Sequence, residues 1–154
     1  MRAPYAAITL TLAAVAVSRL LEASPAVHAP LPDGASLADY VATLAGRDGR
    51  KVTGAATARP SADGKGTDIT VTLDGDTPGA TRPWHVHSGS CKQSGGVVGG
   101  GRAYTAIAID AKGQGKGTAT IPVLLADTAT YYVNIHDAAA AMGIIVACGD
   151  LTKK

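Results

Sequence analysis

The run Thr67-Asp68-Ile69-Thr70-Val71-Thr72-Leu73 (TDITVTL) decides the fold class, because Ile69, Val71 and Leu73 fall on one face in strict alternation. Period-2 alternation is the signature of a strand buried on one side, and β-branched residues suit that setting. Upstream, SADGKG (61–66) reads as a turn, since Asp-Gly supports a left-handed backbone. Before it, Lys51–Arg59 is a Thr- and Ala-rich strand stopped by Pro60, and Tyr40–Leu44 is a shorter one. Downstream, DGDTPGATRP (74–83) reads as a loop, Pro83–Ser88 as a strand, and SGSCKQSGGVVGGG (88–101) as a glycine-rich loop. Ala103–Ile109 and Gly117–Val123 flank AKGQGK and predict a hairpin, while Thr130–His136 and Gly143–Leu151 complete eight strands. DAAAAM (137–142) predicts a turn of helix. The expectation is an all-β, eight-stranded antiparallel fold, a sandwich or Greek-key β-barrel.

Composition agrees. The 154 residues suffice for one domain with its own core. Apolar residues make up 46% but aromatics only 4%, with no Phe, so Val, Ile, Leu and Ala must fill the core. Nineteen Gly and eight Pro fit many short strands and tight turns. The net charge of +2 is spread out with no basic stripe, which argues against a nucleic-acid partner. The run Gly95–Gly101 lacks the Lys-Ser/Thr ending and following helix of a phosphate loop.

The first segment reads as an export signal: Arg2, then AAITLTLAAVAV (6–17), too short to span a bilayer comfortably, then small residues and a cleavage site after Ala26. An uncleaved membrane anchor is the alternative. Removing residues 1–26 leaves 12 basic and 11 acidic residues, a nearly neutral mature protein with no membrane contact. Residues 27–38 read as a flexible linker and 39–154 as the β domain. The expected location is periplasmic or secreted. Cys91 and Cys148 offer one disulfide, which an oxidising compartment would preserve; two separate buried thiols are the alternative.

Only four histidines occur. In WHVHSGSC (84–91), His85 and His87 share one face of a strand, with Trp84 and Val86 turned to the core. In YYVNIH (131–136), Val133 and Ile135 belong inside, so Asn134 and His136 point out. If these strands are neighbours, three imidazoles meet on one outer patch. Neutral imidazoles suit copper and zinc, with copper favoured on intrinsic affinity.

These motifs resemble a known family, the copper/zinc superoxide dismutases. WHVHSGSC is similar to their copper-ligand strand and disulfide loop, YVNIHD (132–137) to a later ligand strand, and IVACGDL (145–151) to their last strand. The likeness extends through VTGAATARPS and TDITVTLDG and covers roughly residues 40–151. It implies an eight-stranded Greek-key barrel, copper ligands His85, His87 and His136, and a Cys91–Cys148 disulfide. The H-x-H strand and YVNIH also resemble the CHRD domains, extracellular β modules. Three departures from the dismutases stand out. No histidine lies between His87 and His136, so the bridging ligand and the zinc site are missing and zinc is not expected. Ile145 stands where the family places an anion-steering arginine, and the charged loop has shrunk to DAAAAMGII (137–145).

The resulting expectation is an exported protein holding one copper ion, acting in copper binding or handling with weak dismutation or none. Its partners would be the copper ion, superoxide, or a protein that donates or accepts copper; family members often dimerise, which leaves a homodimer open. The alternatives are an active copper-only dismutase, a three-histidine zinc enzyme, and a non-catalytic CHRD-like module. Further residues carry blander readings. His28 would be a solvated tail residue, Met142 core, Asp137 a turn residue, Arg102 a surface charge, and Tyr131 and Tyr132 packing residues on opposite faces.

Overall fold

The computed structural model describes residues 38–154. The expectations for the signal segment 1–26, the linker 27–38 up to Leu37, and His28 lie outside the described residues. Among the described residues no helix is long and apolar enough to cross a membrane.

Among the described residues ten strands run β1 Tyr40–Gly46, β2 Thr53–Pro60, β3 Thr67–Asp74, β4 Thr81–Arg82, β5 Trp84–Ser90, β6 Gln93–Val97, β7 Ile107–Ala108, β8 Gly115–Ile121, β9 Tyr131–His136 and β10 Ile145–Lys153. Eight of them form one curled antiparallel sheet, a half-barrel, in the order β6-β5-β9-β10-β1-β2-β3-β8. β4 and β7 make a separate two-residue ladder.

The alternation of TDITVTL is realised as expected. Ile69, Val71 and Leu73 are buried, and β3 pairs along its length with β2 and β8. SADGKG turns back on itself through Ser61 N–H donating to Gly66 O (2.8 Å). The concave face collects Leu44, Ala56, Ile69, Val71, Trp84, Val86, Ile121, Val133 and Ile135, all essentially inaccessible to solvent. Each of these fully buried aliphatic side chains larger than Ala contributes roughly 1.5–3 kcal/mol of transfer free energy.

Trp84 is the largest fully buried side chain. Its Nε1–H donates to Thr105 O (2.9 Å), which satisfies the one polar atom it brings inside. A Cβ on Gly117 would lie 2.9 Å from that nitrogen and 2.6 Å from Ile107, so the absence of a side chain there lets the indole seat itself.

Two expectations need correction. The stretch 88–101 is not wholly loop: Gln93–Val97 forms an edge strand against β5, with Ser90↔Gln93 and Gly89↔Ser94 in register. Being exposed throughout, it has no hydrophobic alternation to reveal it. The hairpin between Ala103–Ile109 and Gly117–Val123 is also largely absent. Residues 101–103 form a 3₁₀ turn, Ile107–Ala108 pairs instead with Thr81–Arg82, and only the bridge Ile109↔Gly115 remains of it. The count of eight strands in the main sheet therefore matches, but one member differs. DAAAAM supplies a 3₁₀ turn at Ala139–Ala141.

Candidate metal centre

β5 and β9 are antiparallel neighbours, with Trp84↔Ile135, His85↔Asn134 and Val86↔Val133 opposed. Alternation puts Trp84, Val86, Val133 and Ile135 into the core and sends His85, His87, Asn134 and His136 to the opposite face. His136 ends β9 one step beyond this ladder, where its N–H donates to Pro83 O (2.8 Å). It thus lies diagonally across from His85, and the two rings approach to 5.2 Å between centroids.

One ring nitrogen from each of His85, His87 and His136 can be chosen so that all three lie within 4.8 Å of one another. The hydrogen bonds say which. His87 Nδ1 lies 3.1 Å from Gly95 O, and His136 Nδ1 lies 2.6 Å from Met142 O. A carbonyl can only accept, so both Nδ1 atoms carry the proton and both Nε2 atoms keep a free lone pair. The Nε2 of His87 is buried and has no hydrogen-bond partner. His85 Nδ1 faces His136 Nε2 at 3.2 Å. Two nitrogens bound to one ion at about 2.0–2.1 Å in a tetrahedral or trigonal array sit about 3.3–3.6 Å apart. A buried, unpartnered nitrogen within 4.8 Å of two further imidazole nitrogens fits a bound cation.

The outward direction of these rings does not make them exposed. His136 is buried and the other two are half-buried. Two segments cover them. One is the arm after β5, fastened by the Cys91–Cys148 disulfide and by Cys91 N–H donating to Asp150 Oδ1 (2.6 Å). β6 on this arm supplies the Gly95 carbonyl. The other is the β9–β10 loop, which supplies the Met142 carbonyl. Beneath the first, Tyr132 stacks on His87 at 5.1 Å and 26°. Tyr131 faces the opposite way and meets Tyr40 edge-on, so the two tyrosines do divide between faces. On the other flank Tyr104 sits edge-on to both Trp84 and His85.

Electrostatics favour the neutral form of two of these rings, His85 and His136. Burial, with His136 and His87 adding to it, pushes the His85 imidazole down to about 4. Burial also lowers His136, against the Met142 carbonyl, which favours its protonated form. A neutral ring is the form that binds a metal, so His85 and His136 need not release a proton at neutral pH.

Met142 is not core: the residue is 37% exposed, and its contribution is a backbone carbonyl. Asp137 is more than a turn residue, because it pairs with the buried Arg82. Arg102 is exposed. Ile145 is half-buried, with no cation at its position. The carbonyls of Gly95 and Met142 and the side chain of Arg82 escaped sequence reasoning. Any residue can offer a carbonyl, and nothing in the string ATRPW marks Arg82 as buried. No protein-family model matches this chain, and no curated protein matches it either.

Proposed function

We propose that this protein is an exported copper-binding protein whose single ion is held by His85, His87 and His136. The observation that carries the reading is the convergence of three ring nitrogens within 4.8 Å, of which His87 Nε2 is buried without a hydrogen-bond partner and two belong to rings oriented by backbone carbonyls. Imidazole donors on a stiff strand pair favour copper and zinc over the hard cations. Among the described residues no fourth histidine, carboxylate or thiolate joins the three nitrogens, a set that suits Cu(I), or Cu(II) completed by water.

A Greek-key, superoxide dismutase-like barrel is the family reading proposed with it. Its support is the trio of motifs around the histidines and cysteines, together with the Cys91–Cys148 bond in the pairing those motifs imply. Fast dismutation is not part of the proposal. The reaction needs copper to cycle between two oxidation states, and it gains from a cation that draws superoxide in. The position before A-C-G holds Ile145 here. Binding, storage or delivery of copper to or from a partner protein, in a periplasmic or extracellular space, fits these residues better.

The test is metal analysis of protein recovered from its natural compartment, with Cu(I) and Cu(II) titrations of wild type and His136→Ala. One copper per chain, weakened by His136→Ala, supports the proposal. Retention of zinc alone, or no metal affinity, removes it. A dismutation rate well above that of free copper would replace copper handling with catalysis.

A further inference from the structure

Among the described residues, the buried polar side chains are Thr67, Asp76, Arg82, Asn134 and His136. Arg82 and Asp76, at 4% and 6% exposure, form the one fully buried ion pair among them. Taking two charges out of water costs several kcal/mol each, so such a pair is a poor way to gain stability alone. Its partners show what it holds. Nε of Arg82 donates to Asp76 Oδ2 (2.9 Å) and Nη2 to Asp76 Oδ1 (2.7 Å). Nη1 donates to the backbone oxygen of Asp137 (2.6 Å) and to its Oδ1 (2.8 Å). The guanidinium therefore spans the β3–β4 loop and the first residue of the β9–β10 loop.

That second loop closes on itself. Asp137 N–H donates to Ile144 O (2.9 Å), Ile144 N–H to Ala141 O (3.0 Å), and Ala141 N–H to Ala138 O (2.9 Å). Met142, whose carbonyl fixes the His136 ring, lies within this closed segment. Arg82 immediately precedes Pro83, whose carbonyl receives the His136 N–H, and Asp137 immediately follows His136. The His136 residue is thus held on both sides by groups tied to one arginine.

We infer that Arg82 is a positioning residue for His136, acting through Asp137 and the β9–β10 loop to hold the Met142 carbonyl against the ring. The inference rests on the proposed copper site, and it assigns Arg82 to one of the three ligands. His85 and His87 are carried by β5, and the Arg82 guanidinium directs its hydrogen bonds to Asp76 and Asp137 and none to β5 or the disulfide arm.

The test is a double-mutant cycle on the full chain. Arg82→Met alone strands a buried carboxylate, so Arg82→Met/Asp76→Asn is made beside it, and a thermal melt and disulfide assay establish that each is folded. Each change is placed in wild-type and His136→Ala backgrounds, and Cu(I) affinity is read by competition with a chromogenic chelator. In the wild-type background the affinity should fall roughly 10–100-fold, as for loss of an orienting partner. In the His136→Ala background the same change should move it by less than about twofold. The NMR resonance of the His136 Nδ1–H, measured without metal, should weaken or broaden in the variant, while that of His87 stays. Equal loss in both backgrounds, or an unchanged His136 signal, overturns the inference. A wild type that binds no copper, with the His136 signal still dependent on Arg82, overturns the copper site alone.

Discussion

The arm Ser90–Val97 and the loop Asp137–Ile144 serve one purpose on two sides of the same histidine face, and they are fastened by different chemistry. Each lends a backbone carbonyl to one Nδ1, Gly95 to His87 and Met142 to His136. The first is anchored covalently through Cys91–Cys148, at a Cα separation of 5.9 Å. The second is anchored by the Arg82–Asp76–Asp137 network. A histidine that must present one particular nitrogen needs its other nitrogen occupied, and any carbonyl held still enough will do that. The fastening is therefore free to differ, and it sets which insult each ligand is sensitive to.

The largest expected effect is on the covalent side. Cys91 and Cys148 are 57 residues apart, for which the chain-entropy account gives about 4 kcal/mol of stabilisation. Cys91→Ser/Cys148→Ser should lose about that much in urea denaturation, with a reduced wild type behaving alike. A loss under about 1 kcal/mol would mean the arm is held by β6 pairing and not by the disulfide.

The ionic side should answer to acid instead. Burial raises the Asp76 carboxyl, but the hydrogen bonds from Arg82 and from Thr77 N–H, with the Arg82 charge, outweigh it and hold the carboxyl below its ordinary range. A depressed folded-state pKa gives stability that is present above the unfolded value near 4 and is lost as pH falls through the folded value. Arg82→Met removes one partner of a buried pair and should cost about 3 kcal/mol at neutral pH, the low end of the usual range because Thr77 N–H still serves Asp76 Oδ1. In that variant the carboxyl is buried without its counter-ion and its pKa rises. Mild acid should then stabilise the variant while wild type gains nothing, and a matching pH slope for the two proteins would break the assignment.

A subtler way to sharpen the comparison is to disturb the carbonyl without cutting either anchor. A Cβ at Gly95 would stand 2.4 Å from Ser88 Oγ and 2.5 Å from Ser88 O. Gly95→Ala must push β6 away from β5 and draw its carbonyl from His87. β6 is an exposed edge, so stability should fall by only about 1 kcal/mol. Copper affinity should fall on the order of tenfold, read by the same competition titration.

Those positions also show how far sequence reasoning reached. TDITVTL and the H-x-H strand were legible because alternation reports burial directly: Ile69, Val71, Trp84 and Val86 went where their period sent them. The convergence of His85, His87 and His136 followed from β5 lying beside β9. β6 was illegible because all five of its residues are exposed and three of them are Ser or Gly. The short β4/β7 ladder was illegible because its two-residue strands are below any periodic signal. The orienting carbonyls belong to the backbone, and Arg82 declares its role only through two aspartates, 6 and 55 residues away.

The smallest expected effect separates a local clasp from a general charge effect. Asp137 is approached by two arginines. Arg82 reaches its Oδ1 at 2.8 Å with a side chain 5% exposed, and Arg50 reaches the same oxygen at 3.6 Å with one 37% exposed. Solvent screens the second pair, and its long side chain gives up freedom to form it, so Arg50→Ala should change stability by no more than about 0.5 kcal/mol. It should also leave copper affinity unaltered, since Arg82 still grips the backbone oxygen and Oδ1 of Asp137. If Arg50→Ala cost as much as Arg82→Met in either measurement, positive charge near Asp137 would be what matters. The geometry of one buried guanidinium would then lose its claim to set His136.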